Sequence, residues 1–323
     1  MKILCLLAVS VAVATAALAQ TNKQWETVEP KTLPEKRHEN AFVRVGDQFY
    51  LVGGRGVKPI DAYNPKTNQW EKRAMGPLEM HHFQAVEHNG EIYVAGAFTG
   101  GYPHEKPIPT IYIYNPKKDE WRQGPEIPAD RRRGSAGVAT YKNKIYLFCG
   151  IIDGHYDGHV SWVDEYDPAK NTWTKLPDAP HPRDHFQAAI HGDKAYIAGG
   201  RLSSAKIGKV LNLTVSAVDV YDFKTQKWIT LPEDENIPTQ RAGSTSIPYE
   251  NKILVIGGES PQKKAHNQVE ALDTKTLKWE KWAPLQMGRH GTQAIVYKNN
   301  IFIAAGSENQ GGGPELNTME VLK

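Results

Sequence analysis

The chain is 323 residues long, with 39 Lys and Arg against 36 Asp and Glu and a formal charge of +3. So even a balance, with the lysines scattered, argues against a nucleic-acid-binding surface. Two cysteines exclude a disulfide-stapled scaffold, and the sequence holds no Cys-x-x-Cys pair and no phosphate-cradling loop.

In chain order, the first element is Met1-Lys2, the apolar run Ile3–Leu18 and the tripeptide Ala17-Leu18-Ala19. A basic start, a short apolar stretch and an Ala-x-Ala end define a secretory signal peptide over 1–19, cleaved after Ala19. The expectation is a secreted or periplasmic protein with one domain over 20–323. The run is too short and Ala-rich for an anchor, and no other segment could span a bilayer, so membrane insertion is not expected. Cleavage leaves Cys149 as the one thiol, at a strand position that asks for a small buried residue.

Gln24-Trp25-Glu26-Thr27-Val28 then reads as a strand with no partner nearby. From Arg37 onward a four-part unit recurs six times. It opens on an arginine: Arg37, Arg133, Arg183, Arg241 and Arg289, with Met80-His81-His82 in the second unit. Small residues follow, as in Ser135-Ala136-Gly137-Val138-Ala139. An aliphatic strand then ends in a small pair, such as Gly53-Gly54, Gly96-Ala97, Cys149-Gly150, Gly199-Gly200, Gly257-Gly258 and Ala305-Gly306. A third strand carries an acid or aromatic pattern and a turn, as in Asp61-Ala62-Tyr63-Asn64-Pro65 and Asp164-Glu165-Tyr166-Asp167-Pro168. The fourth carries Trp70, Trp121, Trp173, Trp228 or Trp279. The sixth unit stops at Met319-Glu320-Val321-Leu322 with no tryptophan strand of its own.

A period of this length marks a stacked or circular repeat architecture. Small residues suit strands crowded at an axis. The glycine pair permits close backbone approach and positive φ. Asn/Asp-Pro is turn chemistry. Each tryptophan reads as an apolar plug against the next unit.

Taken in this order, the units resemble kelch repeats along the whole mature chain. The resemblance implies an all-β, six-bladed kelch β-propeller with four antiparallel strands per blade. The last blade would be closed by the N-terminal strand at Trp25, which hides the sheet edges. The runs Pro182-Arg183-Asp184-His185-Phe186 and Arg289-His290-Gly291-Thr292-Gln293 also resemble exported bacterial kelch proteins.

In kelch propellers one face is formed by the loops entering the inner strands and those after the glycine pairs. Carried onto this chain, the first set is Arg37, His38, His81, His82, Arg133, Arg183, His185, Arg241, Arg289 and His290. The second is Arg55, His155, Tyr156, Arg201, Glu259 and Glu308. His38, His82, His185 and His290 are read as near-equivalent positions where the repeat does not demand histidine. Imidazole and guanidinium together suit an anionic or heavily hydroxylated ligand, although about half of the lead arginines are expected to be structural. His155, Asp157 and His159 share a strand face by alternation, but that spacing does not define a metal site. No metal and no cofactor is assigned. The long connections over 98–110 and 201–217 read as binding loops or lids.

Three functional readings follow. The first is an exported propeller binding a saccharide or other anionic small ligand in an Arg/His-rich central funnel. The second is a carbohydrate-active enzyme: a sugar mutarotase or epimerase, or a uronate β-elimination lyase in which His185, His82 and Tyr156, or Glu259 and Glu308, move protons. The third is a protein–protein interaction scaffold, as in kelch adaptors. A copper-radical oxidase of the galactose oxidase type resembles this chain in its repeats alone, and the position of Cys149 points to packing.

Overall fold

A computed structural model describes residues 23–323; the expected signal peptide lies outside these residues. They form six sheets of four antiparallel strands each, beside two two-stranded ribbons, Phe98–Thr99 with Lys106–Pro107 and Ile151–Asp153 with Asp157–His159. Blade 1 comprises Asn40–Val45, Gln48–Gly53, Pro59–Asn64 and Gln69–Met75 in spatial order. Blades 2 to 5 repeat this plan around a common axis. Blade 6 comprises Ala294–Tyr297, Asn300–Ala304 and Met319–Leu322, and its outer strand is Trp25–Val28 from the other end of the chain. That strand runs antiparallel to the C-terminal one, with Trp25 opposite Leu322 and Val28 opposite Met319. The six-bladed kelch propeller and its N-terminal closure are therefore both present.

The apolar interior is six cores, one between each pair of neighbouring blades. Ala41, Tyr50 and Ala62 of blade 1 meet Ala85, Ile92 and Tyr114 of blade 2, and the same arrangement recurs around the ring to Phe49 and Leu51 against Ile295 and Met319. The tryptophans plug these cores, but against the preceding blade rather than the next. Tyr63 lies opposite Trp70 and Tyr221 opposite Trp228, so each cross-strand pair shares one sheet face. That face looks back along the ring: the indole N–H of Trp228 donates to Pro177 O at 2.9 Å, and that of Trp279 to Glu235 O at 2.8 Å. Trp25 obeys the same rule, donating to Ala283 O at 2.9 Å in blade 5.

The lead arginines are the polar counterpart of these cores. Arg37, Arg133, Arg183, Arg241 and Arg289 are wholly buried. Each pairs with an acid on the third strand of its own blade. Arg37 meets Asp61; Arg133–Asp164, Arg183–Asp219, Arg241–Glu270 and Arg289–Glu320 each close to 2.6 Å. Remaining guanidinium protons go to carbonyls, as from Arg241 to Gly257 O and Val255 O. Blade 2 lacks both partners at once: buried Met80 replaces the arginine, and Tyr112 occupies the acid's place two residues before Tyr114. The arginines thus belong to the blades, and their guanidiniums do not reach the mouth of the funnel.

The glycine pair tolerates its substitutions. Cys149 and Ala305 adopt φ of 50° and 61° where Gly53 and Gly257 adopt 65° and 64°. The Cys149 thiol is buried, and burial pushes it up to about 12, so it packs rather than reacts.

Candidate functional site

Each inner strand is entered through one residue in the left-handed region. Around the ring these are Glu39, His82, Ser135, His185, Gly243 and Gly291, with φ between 53° and 66°. They stand two residues beyond the lead arginine or Met80, and they are the innermost residues of the molecule. Backbone hydrogen bonds link them across blades: His82 N to Glu39 O, Ser135 N to His82 O, Gly243 N to His185 O and Gly291 N to Gly243 O, at 2.6–3.0 Å. Two blades use glycine here, as the conformation favours. Four use side chains, and a left-handed non-glycine residue costs about 1 kcal/mol or more.

The histidines expected to be equivalent fall into two tiers. His82 and His185 belong to the innermost ring. His81, Asp184 and His290 lie one residue earlier, bridged to Phe98, Arg201 and Ser307 respectively, and His38 holds the same place in blade 1. All converge on one axis. The rings of His82 and His185 lie 4.8 Å apart, and His155 of blade 3 stands 4.9 Å from the first and 4.7 Å from the second.

Four carboxylates hold this cluster; of these the sequence reading named Glu259 as a site residue and left out Glu39, Glu105 and Asp184. Glu105 is buried; it accepts from His155 Nδ1 at 2.9 Å and from Arg55 at 2.7 Å. Burial acts to raise its pKa, but His155 and Arg55 prevail and hold it well down. Asp184 accepts from His185 Nδ1, from Ser203 Oγ at 2.6 Å and from the Ser203 amide at 2.8 Å. Glu39 lies 3.5 Å from both His82 Nε2 and His290 Nδ1. Glu259 pairs with Arg201 and lies 3.5 Å from His290 Nε2. Against its burial, His290 and Arg201 keep Glu259 at about 2. Burial likewise opposes charge on His290, yet Glu259 and Glu39 raise it to about 9. Burial wins at His82 and His185, whose pKa values fall below the usual range. Burial and Arg55 take His81 to about 4. The centre therefore favours neutral His82 and His185 beside a protonated His290, in an acidic surround.

Most of the other expected site residues stand apart from this network, and His159 touches its edge at Asp184. His38 bonds Glu315 at 2.8 Å. The Tyr156 ring lies tilted against that of His104, with centroids 4.4 Å apart. Glu308 pairs with Lys264 on the rim. Asp157 pairs with Lys206, while His159 approaches Asp184 at 3.0 Å. One sequence signal would have found Glu39: its position carries Gly243 and Gly291 in two other units, so any side chain there is exceptional. Glu105 has no such signal, because it lies in a loop without repeat register.

The hole down the axis encloses about 30 Å³, lined by Glu39, His82, Ser135 and His185 among others. That holds a water or two and is too small for a sugar ring. Above it, the two long connections, together with loops of blades 5 and 6, build a wider cup of about 380 Å³, walled by Tyr102, Ala205, Leu211, Asn212, Pro261 and Gln310. The Ala205 amide donates to His155 O at 2.8 Å, and the Tyr102 ring lies 5.4 Å from that of His155. The cup thus adjoins the histidine cluster at His155.

An architecture of six kelch-type blades around a polar axial site defines a kelch propeller. Residues 14–200 and 82–306 match the family described as the KLHDC2/KLHL20/DRC7 Kelch-repeats domain. The chain belongs to the kelch-repeat family. Kelch-like protein terF of Aspergillus terreus is 30% identical over 305 residues, covering 88% of this chain and 64% of that protein. Kelch-like protein 23 of Homo sapiens is 24% identical over 300 residues, covering 88% of this chain and 50% of that one. The chain thus spans between half and two thirds of the length of these relatives. The solved structure of YjhT superposes with a TM-score of 0.77 at 16% identity, over 91% of this chain and 96% of that one, a likeness of fold.

Proposed function

We propose that this propeller binds a saccharide or a similarly hydroxylated small molecule in the cup over its axis. The observation that carries the reading is the cup itself. Two long loops from blades 2 and 4, together with loops of blades 5 and 6, meet over the axis and leave a concavity of about 380 Å³, within the range of small-ligand sites. Tyr102 offers a half-exposed aromatic face, and Asn212 and Gln310 offer amide groups that match hydroxyls. With the five lead arginines committed inside the blades, recognition rests on these groups rather than on a ring of guanidiniums.

A thermal-shift screen against neutral and acidic sugars tests this, since a ligand of the folded state raises Tm. A sugar-dependent rise that disappears in Tyr102→Ala is the expected result. A panel of sugars that leaves Tm unmoved overturns it. Kelch domains commonly mediate protein interactions, and Tyr102, Ile152 and Ile207 expose apolar surface on loops of this face. That favours a protein-partner reading should the sugars fail. The N-terminal segment supports export, and we propose that the working form begins at Gln20; N-terminal sequencing of the mature chain checks it.

A further inference from the structure

We propose that His82, His155 and His185 bind a divalent first-row transition ion such as Zn²⁺. The three come from blades 2, 3 and 4, and one nitrogen from each lies within 4.8 Å of the other two. Tetrahedral coordination at a Zn–N distance of about 2.0–2.1 Å brings ligand nitrogens to about 3.4 Å from one another. Each ring needs to move by no more than on the order of 1 Å, which side-chain torsions supply.

Independent features point the same way. The Nε2 atom of His185 is buried and has no hydrogen-bond partner among the described residues. A polar atom left so costs about 1–3 kcal/mol. Its Nδ1 faces Asp184, and Nδ1 of His155 faces Glu105. Carboxylates in this place fix tautomer and ring orientation and leave Nε2 for a metal. Glu39 stands by His82, so three carboxylates surround three imidazoles and would offset a dication. His82 and His185 are also the two histidines held at φ 53°, in a ring where glycine serves elsewhere. Strain of this kind persists where the side chain is needed. Three protein ligands leave one position open. The donor set differs from the run His155-Asp157-His159, since Asp157 turns to Lys206.

The test titrates Co²⁺ into tag-free, chelator-stripped protein and follows the visible absorption of four-coordinate cobalt. The expected result is saturation at one ion per chain. His82→Gly and His185→Gly should each lower the affinity at least 100-fold. Glycine accepts the left-handed backbone, which offsets part of the packing and hydrogen bonding the buried rings supply, so both variants should stay folded, and their metal-free unfolding transitions check this. Asp184→Asn, acting through His185, should lower affinity 10- to 100-fold. Absence of saturable binding by the folded wild type, or cobalt spectra unchanged in both glycine variants, overturns the proposal. The readout is independent of any sugar in the cup, so the two readings succeed or fail separately.

Discussion

At the residue scale, the axial charges make stability depend on pH in both directions. His290 faces Glu39, Glu259 and Arg201, and its folded pKa of about 9 exceeds the unfolded value near 6.5. A raised histidine contributes stability that is complete below the unfolded value and is lost as pH rises through the folded one. Unfolding free energy should therefore fall by up to ~1.4 kcal/mol per pH unit between about 6.5 and 9. His82 and His185 act oppositely. Their folded pKa values are lowered, so the unfolded chain takes up protons below about 6.5 that the native state refuses, and stability falls with acid. Urea unfolding across pH should show a maximum near neutrality. His290→Gln should flatten the alkaline limb alone; an alkaline limb unchanged in that variant would remove His290 as its cause. Much of this was legible in part. The histidines were conspicuous in the sequence, but of their carboxylate partners only Glu259 was: Glu105 lies 50 residues from His155, and no local pattern links them.

At the scale of the blade, arginine and acid form a buried unit. Removing one partner of a buried pair typically costs about 3–5 kcal/mol, because the other charge is stranded. Blade 2 shows the alternative, with Met80 and Tyr112 in the two places. Arg241→Met alone should destabilise by an amount in that range in chemical denaturation. Arg241→Met with Glu270→Tyr should recover most of it. A double variant no better than the single would mean that the carbonyl contacts of Arg241, not the ion pair, carry the stability. The sequence exposed these arginines as a repeat. It could not say which way they point, because an arginine at a strand entrance reaches the mouth or the blade interior equally well. The tryptophans carried the same ambiguity. Their period was plain, but the sheet face they occupy depends on twist and register, and they turned out to pack backwards around the ring.

For the whole molecule, closure is the deciding feature. Strand Trp25–Val28 joins two chain ends 297 residues apart through Lys323 and Glu26 and fills the core between blades 5 and 6. Trp25→Ala should cost about 3–5 kcal/mol, and deleting 21–30 should lower Tm by more. An unchanged Tm after that deletion would show that blade 6 holds without its outer strand. Closure also assembles the site. Residues at 39, 82, 105, 155, 185, 201, 259 and 290 share one axis only because six sheets return their inner strands to it.

The sequence by itself determined the sixfold repeat and the order of segments within each unit, because these follow from local alternation, turn chemistry and recurrence; the resemblance to kelch repeats then implied the blades and the borrowed outer strand. The sequence also marked the axial histidines and the two long loops. Tertiary structure alone decided that the lead arginines are internal, that the tryptophans face backwards, that His155 joins His82 and His185, and that carboxylates surround them. Those outcomes depend on side-chain direction and on contacts between distant blades, and a one-dimensional pattern fixes neither.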